Sequence, residues 1–141
     1  VVRKGATPAF PGQRCFVGGT MAEPAVILEG IDNEESRRSL HSTIHGAGRI
    51  MSRTQAAGKR KWIKGRQVPL SEGAISRKMM MNWVREAGVE LRGAGVDEAP
   101  QAYKRLSEVL AYHQNTVRVL HTLSPIGVAM AGENERDPYR D

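Results

Sequence analysis

His45 is the residue of this chain best suited to act as a nucleophile. It is followed by Gly46-Ala47-Gly48 and then by Arg49 and Arg53. Glycines let the backbone come close to a ligand, and the N–H groups at a helix start point at anions. The pattern from Arg49 to Ala57 predicts a helix, on which Arg49 and Arg53 share one face and aim two guanidinium forks at one phosphate-rich site. An imidazole beside such a cradle suits nucleotidyl transfer to histidine. A turn histidine that only makes structural hydrogen bonds is the plainer alternative. Thr20, within Gly18-Gly19-Thr20-Met21, is a second candidate, offering N–H and hydroxyl groups to a phosphate. A tight turn between two strands fits the same residues.

The remaining reactive side chains carry less. His41 and His45 have the i, i+4 spacing used for metals, but the glycines that follow oppose a shared helix and no third ligand is near in sequence. His113 and His121 have no partner motif and read as structural. Cys15 is the only cysteine, so no internal disulfide can form. A reducing compartment, and hence a cytoplasmic location, fits it. It reads as a small buried hydrophobe.

The elements that must position these residues are mixed. Gly and Pro punctuate Val1 to Phe16, predicting loops around short strands. Ala25 to Leu28 predicts a buried strand, and Asp32 or Asn33 a cap for a short helix running toward Leu40. Gly58 stops the helix that begins at Arg49. Ser71-Glu72 opens a second helix with Ile75, Met79, Trp83 and Ala87 on its buried face, ended by Gly88. The methionines Met79-Met80-Met81 read as core filling. Val89 to Arg92 is a short strand. Ala99 to Tyr112 is a third helix, with Pro100 in its first turn and a stripe of Ala99, Ala102, Leu106, Val109 and Leu110. Thr116 to Leu123 alternates as a strand with Val117, Val119 and His121 on one side, and Ile126 to Met130 is a further strand. The fold class is therefore α+β, helices interspersed with short strands. Residues 1–132 form one segment, and 133–141 a polar, frayed tail.

Length and charge bound the function. The 141 residues, 40% of them hydrophobic, allow one domain with a modest core. No apolar run reaches the roughly 18 residues of a membrane helix, so no membrane partner is expected. The chain opens on Val1-Val2-Arg3-Lys4 rather than Met and reads as a piece of a longer protein. The net charge is +6, and Ser36 to Ser71 contains no Asp or Glu but holds Arg37, Arg38, Arg49, Arg53, Lys59, Arg60, Lys61, Lys64 and Arg66. Such a block favours a polyanion, whether nucleic acid, nucleotide or phosphate.

Four stretches, in order, resemble the RtcB-type RNA-splicing ligase family. They are Arg3-Lys4-Gly5-Ala6-Thr7-Pro8-Ala9-Phe10, Gly18-Gly19-Thr20-Met21, His45-Gly46-Ala47-Gly48-Arg49-Ile50-Met51-Ser52-Arg53 and Glu98-Ala99-Pro100-Gln101-Ala102-Tyr103-Lys104. The resemblance implies the C-terminal part of the RtcB-like fold and a GTP-dependent ligase assisted by Mn²⁺. His45 would be guanylated, and the guanylyl group would pass to an RNA 3′-phosphate, itself opened from a 2′,3′-cyclic phosphate where needed. A 5′-hydroxyl RNA end would then displace GMP. Gly18, Gly19, Thr20, Met21, Gly46, Ala47 and Gly48 would line the nucleotide pocket, Tyr103 would pack near the guanine, and Arg49 and Arg53 would meet phosphates of nucleotide or RNA. The family's metal ligands lie upstream of its Arg-Lys-Gly-Ala-Thr segment, so the resemblance implies no metal site in this chain. These residues alone would not complete catalysis without the upstream part of the protein. Two departures bear on nucleotide selectivity. Ala25 stands where the family has a serine, after an altered Glu23-Pro24, and no lysine matches the family's C-terminal Lys-Gly pair. A divergent paralogue fits these departures. Two other readings stay open: a non-catalytic basic RNA-binding module, and a degenerate scaffold paralogue.

Overall fold

The computed structural model describes residues 1–132 and Glu135, and the fold is α+β. Its clearest layer is an antiparallel sheet in the order β2 (Arg14–Val17), β3 (Ala25–Gly30), β8 (Val117–Leu123). Alternation along β2 and β3 turns Cys15, Val17, Val26 and Leu28 inward, where they meet Val117, Ala9, Ala47 and Leu106. Leu28 is fully buried and alone contributes about 2 kcal/mol of apolar transfer. The expected strand over Ala25 to Leu28 is thus present and longer. A register shift between Ile27 and Leu28 alters the side chains expected from β8. Val117 is buried opposite Gly30, Val119 pairs with Leu28 but is 44% exposed, and His121 pairs with Ile27 and is exposed.

Before the sheet, β1 (Ala6–Pro8) pairs antiparallel with β4 (Ser42–Ile44). Between β3 and β4, Asn33 caps α1 (Glu34–Arg38) through a reciprocal box with Ser36. The second core surrounds α3 (Arg77–Glu86), whose Met80 and Val84 are buried against Ile75, Ala56, Val96, Ala99 and Ala102. Short β7 (Glu90–Arg92) and β9 (Gly127–Ala129), both expected, pair in parallel. The tail expected over 133–141 lies outside the described residues, apart from Glu135.

Three expected helices begin elsewhere, each because tertiary pairing overrides local pattern. The helix expected from Arg49 is α2 (Arg53–Ala57), with Ser52 as its cap. Residues 49–51 are held out of it by an antiparallel bridge from Arg49 to Tyr103 and by Ile50 N–H donating to Ala102 O at 2.9 Å. Gly58 ends α2 as expected. It has φ +81, and a Cβ there would lie 2.0 Å from Ser71 O. The helix expected from Ser71 starts at Ser76, because Ala74 and Ile75 instead donate to the carbonyls of Gln55 and Ala56. Its buried face is centred on Met80 and Val84, with Trp83 partly buried against the same core, whereas Met79 is 47% exposed and Ala87 is exposed. The third expected helix, Ala99 to Tyr112, is broken into a 3-10 turn, Pro100–Ala102, and α4 (Leu106–Ala111), and a further 3-10 turn, Val96–Glu98, precedes it. Tyr103 is extended, at φ −124 and ψ 158, to reach Arg49.

The acid-free stretch also contains a ribbon that the pattern did not suggest. β5 (Arg60–Ile63) and β6 (Arg66–Pro69) pair around a Lys64-Gly65 turn, both residues at positive φ.

Candidate functional site

Three loops converge on the His45 signature. His45 directly follows β4, and the β1 partner brings Gly5 beside it: a Cβ on Gly5 would sit 4.0 Å from His45 Nε2. A parallel bridge joins Gly46 to Gly18, so the loop between β2 and β3 lies against the histidine loop. Gly48 accepts the Lys104 N–H at 3.0 Å, and Arg49 bridges Tyr103, which brings in the third loop. His45 itself is exposed. The ring is neither sunk into apolar packing nor paired with another side chain among the described residues.

The other expected pocket residues divide. Gly18, Gly19 and Thr20 are half-buried beside Gly46, and the Thr20 hydroxyl is buried with no hydrogen-bond partner among the described residues. That orphaned group suits a ligand oxygen. Gly19 is demanded by its own loop, since a Cβ there would lie 2.3 Å from Pro24 O. The side chains of Met21 and Ala47 pack into the two cores, at 6% and 7% exposure. Their side chains hold the loops in place. Gly48, at φ +78, makes the turn out of the histidine loop.

The two arginines are brought together, but not on one helix face. Arg49 lies before α2, and every edge of its guanidinium is engaged. It donates to Met51 O at 3.0 Å, the Tyr103 hydroxyl at 2.8 Å and Asp97 O at 2.6 Å, and it stacks 4.7 Å from the Tyr103 ring centroid. Arg53 pairs with Glu98 at 2.8 Å and Asp97 at 3.5 Å. Tyr103 in turn donates its hydroxyl to Glu98, and Arg49 stands 3.6 Å from the same carboxylate. Burial, then the Glu98 carboxylate, pushes the Tyr103 hydroxyl above the ordinary phenol range. The cradle of two free forks is thus corrected to a closed cluster of two cations, two anions and a phenol. Asp97 and Glu98 are the residues sequence reasoning passed over. Their signal was the adjacent acidic pair that abuts Ala99-Pro100-Gln101-Ala102-Tyr103. α2 offers no open N-terminus either, because Ser52 Oγ already accepts the Gln55 N–H.

The remaining candidates settle into structural places. Cys15 is buried, its thiol donates to Pro8 O at 2.9 Å, and burial raises its pKa. His41 packs against Phe10 with ring centroids 5.3 Å apart. His113 accepts two backbone N–H groups that begin β8. Among the described residues no cluster of three or more His, Cys, Asp or Glu could hold a metal ion. Glu23, the altered loop residue, is buried and pairs with Arg105 at 2.6 Å, and Arg105 stacks on Trp83 at 4.1 Å. That pair borders a groove of about 590 Å³ floored by Val26, Leu106 and Val119. Ala25 opens β3 opposite Leu123, so no hydroxyl is presented where the family has serine. No helix among the described residues is long and apolar enough to cross a membrane.

The site is thus an exposed histidine between glycine loops, beside an arginine–carboxylate–tyrosine cluster. The chain belongs to the RtcB family: the family model described as tRNA-splicing ligase RtcB matches residues 1–131. Among curated proteins it is similar to the RNA-splicing ligase RtcB of Escherichia coli (strain K12), 36% identical over 126 residues, covering 89% of this chain and 26% of that protein. The RNA-splicing ligase RtcB of Mycobacterium tuberculosis is 32% identical over 142 residues, 90% of this chain and 30% of that protein. The tRNA-splicing ligase RtcB of Pyrococcus horikoshii is 32% identical over 144 residues, 92% of this chain and 15% of that protein. The chain thus spans less than a third of the length of these relatives.

Proposed function

We propose that this chain supplies the nucleophile and part of the nucleotide pocket of a GTP-dependent RNA ligase. The observation that carries the reading is the exposed His45 imidazole at the meeting of the Gly5, Gly18–Thr20 and Gly46–Gly48 backbones. An imidazole nitrogen attacks the α-phosphorus of GTP, and pyrophosphate leaves. The ring yields its proton, and a phosphoramidate to GMP remains on His45. Backbone N–H groups of the glycine loops and the Thr20 hydroxyl receive the phosphate oxygens. An RNA 3′-phosphate oxygen then takes the guanylyl group and frees the imidazole. A 5′-hydroxyl RNA end attacks that activated phosphate, and GMP departs as the 3′,5′ bond closes. Manganese, when bound, supplies Lewis-acid polarisation of the phosphates. Its ligands come from outside this chain. The Arg49–Glu98–Tyr103–Arg53 cluster holds the third loop against the histidine loop, and the Tyr103 ring offers a flat surface for a base. We place the activity in the cytoplasm, in keeping with the lone reduced Cys15.

The test uses the full-length protein with GTP labelled at the α-phosphate and Mn²⁺. The expected result is an acid-labile covalent adduct that is lost in His45→Ala. An undiminished adduct in that variant removes His45 from the role.

A further inference from the structure

The β5–β6 ribbon is left out of the site just described, yet it carries much of the basic charge. Its register puts Lys61 opposite Val68 and Ile63 opposite Arg66, so these four side chains share one face. Lys64 stands at the turn, and Trp62 lies on the reverse face. Lys61, Lys64 and Arg66 are all exposed, and none forms an ion pair among the described residues. Ile63 and Val68 are 47% and 38% exposed between them, and Trp62 is 41% exposed. Exposed apolar side chains on a sheet favour association unless a partner or charge covers them. Here cations and apolar side chains alternate on one face, which matches a strand of alternating phosphates and nucleoside surfaces.

The ribbon is also firmly mounted. Leu70 N–H donates to Lys59 O at 2.7 Å, and Lys59 N–H donates to Ser71 Oγ at 3.0 Å, closing its base. Gly58 and Gly73 allow backbone contact there that any Cβ would block, at 2.0 Å and 2.2 Å respectively. The base continues directly from α2, the single short helix between the His45 loop and the ribbon. At roughly 3.3 Å per residue the arms reach about 13 Å from that base.

We propose that this ribbon is a docking arm for single-stranded RNA, with phosphates on Lys61, Lys64 and Arg66 and nucleoside surfaces against Ile63 and Val68. Charge complementarity selects a polyanion. The exposed apolar side chains select unpaired nucleotides, because the deep, narrow major groove of an RNA duplex does not admit side chains. The proposal adds a contact outside the groups that meet His45 and does not depend on the chemistry there.

The experiment measures binding of the full-length protein to a 20-nucleotide oligouridine with hydroxyl groups at both ends, which cannot be ligated, across a range of salt concentrations. In Lys61→Gln/Lys64→Gln/Arg66→Gln the slope of log Kd against log salt falls by about 2, from roughly 0.7 per phosphate contact, and affinity at low salt falls about tenfold or more. A charge-preserving Lys61→Arg/Lys64→Arg/Arg66→Lys variant keeps the wild-type slope, which separates lost charge from a damaged ribbon. Ile63→Ser/Val68→Ser weakens single-stranded binding several-fold and leaves the slope unchanged. An unchanged slope in the glutamine variant overturns the proposal. So does equal binding of a 20-base-pair RNA duplex, or displacement of the RNA by polyglutamate at matching charge, which would indicate an acidic protein partner. Guanylylation of His45, followed in the same variants, stays at the wild-type level. Its absence from every protein would sink the ligase reading and leave the ribbon's RNA binding standing.

Discussion

Removing the Glu98 carboxylate is expected to loosen the whole loop assembly behind His45. Glu98 accepts the Tyr103 hydroxyl, pairs with Arg53 at 2.8 Å and lies 3.6 Å from Arg49. Its side chain is 20% exposed, that of Arg49 22% and that of Arg53 39%. Hydrogen bonds to charged groups contribute about 1.5–3 kcal/mol each when sheltered. The Tyr103 bond falls in that range, while the Arg53 pair is discounted for solvent screening to about 0.5–1 kcal/mol. Arg49 is beyond hydrogen-bond distance and has other acceptors, so its share is small. Glu98→Ala should therefore cost about 2–3 kcal/mol, and Glu98→Gln, which keeps one acceptor oxygen, about 1–2 kcal/mol. With a urea dependence of about 2 kcal/mol per molar, the alanine variant shifts the unfolding transition of this part of the full-length protein by about 1 M. A double-mutant cycle with Tyr103→Phe should show coupling near 1 kcal/mol. An unshifted midpoint in Glu98→Ala, with no coupling to Tyr103, would refute the reasoning that this cluster braces the site.

Three further outcomes follow from packing and titration. Met80→Ala should destabilise by about 2–5 kcal/mol through a core cavity, whereas Met79→Ala should stay within about 0.5 kcal/mol, and equal effects in urea unfolding would contradict the observed helix face. The Tyr103 hydroxyl is raised in the folded protein, so the unfolded chain ionises first: stability is intact below the ordinary phenol pKa near 10 and falls as pH climbs through the folded value. Melting from pH 8 to 11 should show less alkaline loss in Tyr103→Phe than in the wild type, and identical curves would count against that environment. Cys15 should resist thiol reagents at neutral pH in the native protein and react rapidly once urea unfolds it, since its thiol is buried, bonded to Pro8 O and raised in pKa. Fast native labelling would show the thiol to be open.

Local chemistry made part of this legible. Asn33, Gly58 and Gly88 mark element ends because caps and left-handed residues act within a few positions, and the buried strand from Ala25 is a plain apolar run. The histidine signature reads from types and order alone. What stayed hidden depends on distant pairing. Nothing near Arg49 says that Tyr103 will hold it in extended conformation, which delays α2 to Ser52 and breaks the third expected helix. The face of α3 was misjudged by one residue, about 100° of rotation, because Ile75 is buried but sits before the helix and biased the stripe. The arginine forks looked free because their carboxylate partners, Asp97 and Glu98, lie more than forty residues away. The β5–β6 ribbon was masked by its charge: Lys-Gly is a weaker turn signal than Asn-Gly, and the basic residues point first to a polyanion-binding block.

The most direct measurement is to incubate the full-length protein with GTP and Mn²⁺, digest it under alkaline conditions that preserve phosphoramidates, and locate the nucleotide by tandem mass spectrometry. The account expects GMP on the imidazole of His45, within the peptide that also carries Gly46-Ala47-Gly48. A nucleotide attached to a lysine or to any other histidine, with His45 unmodified, would contradict it.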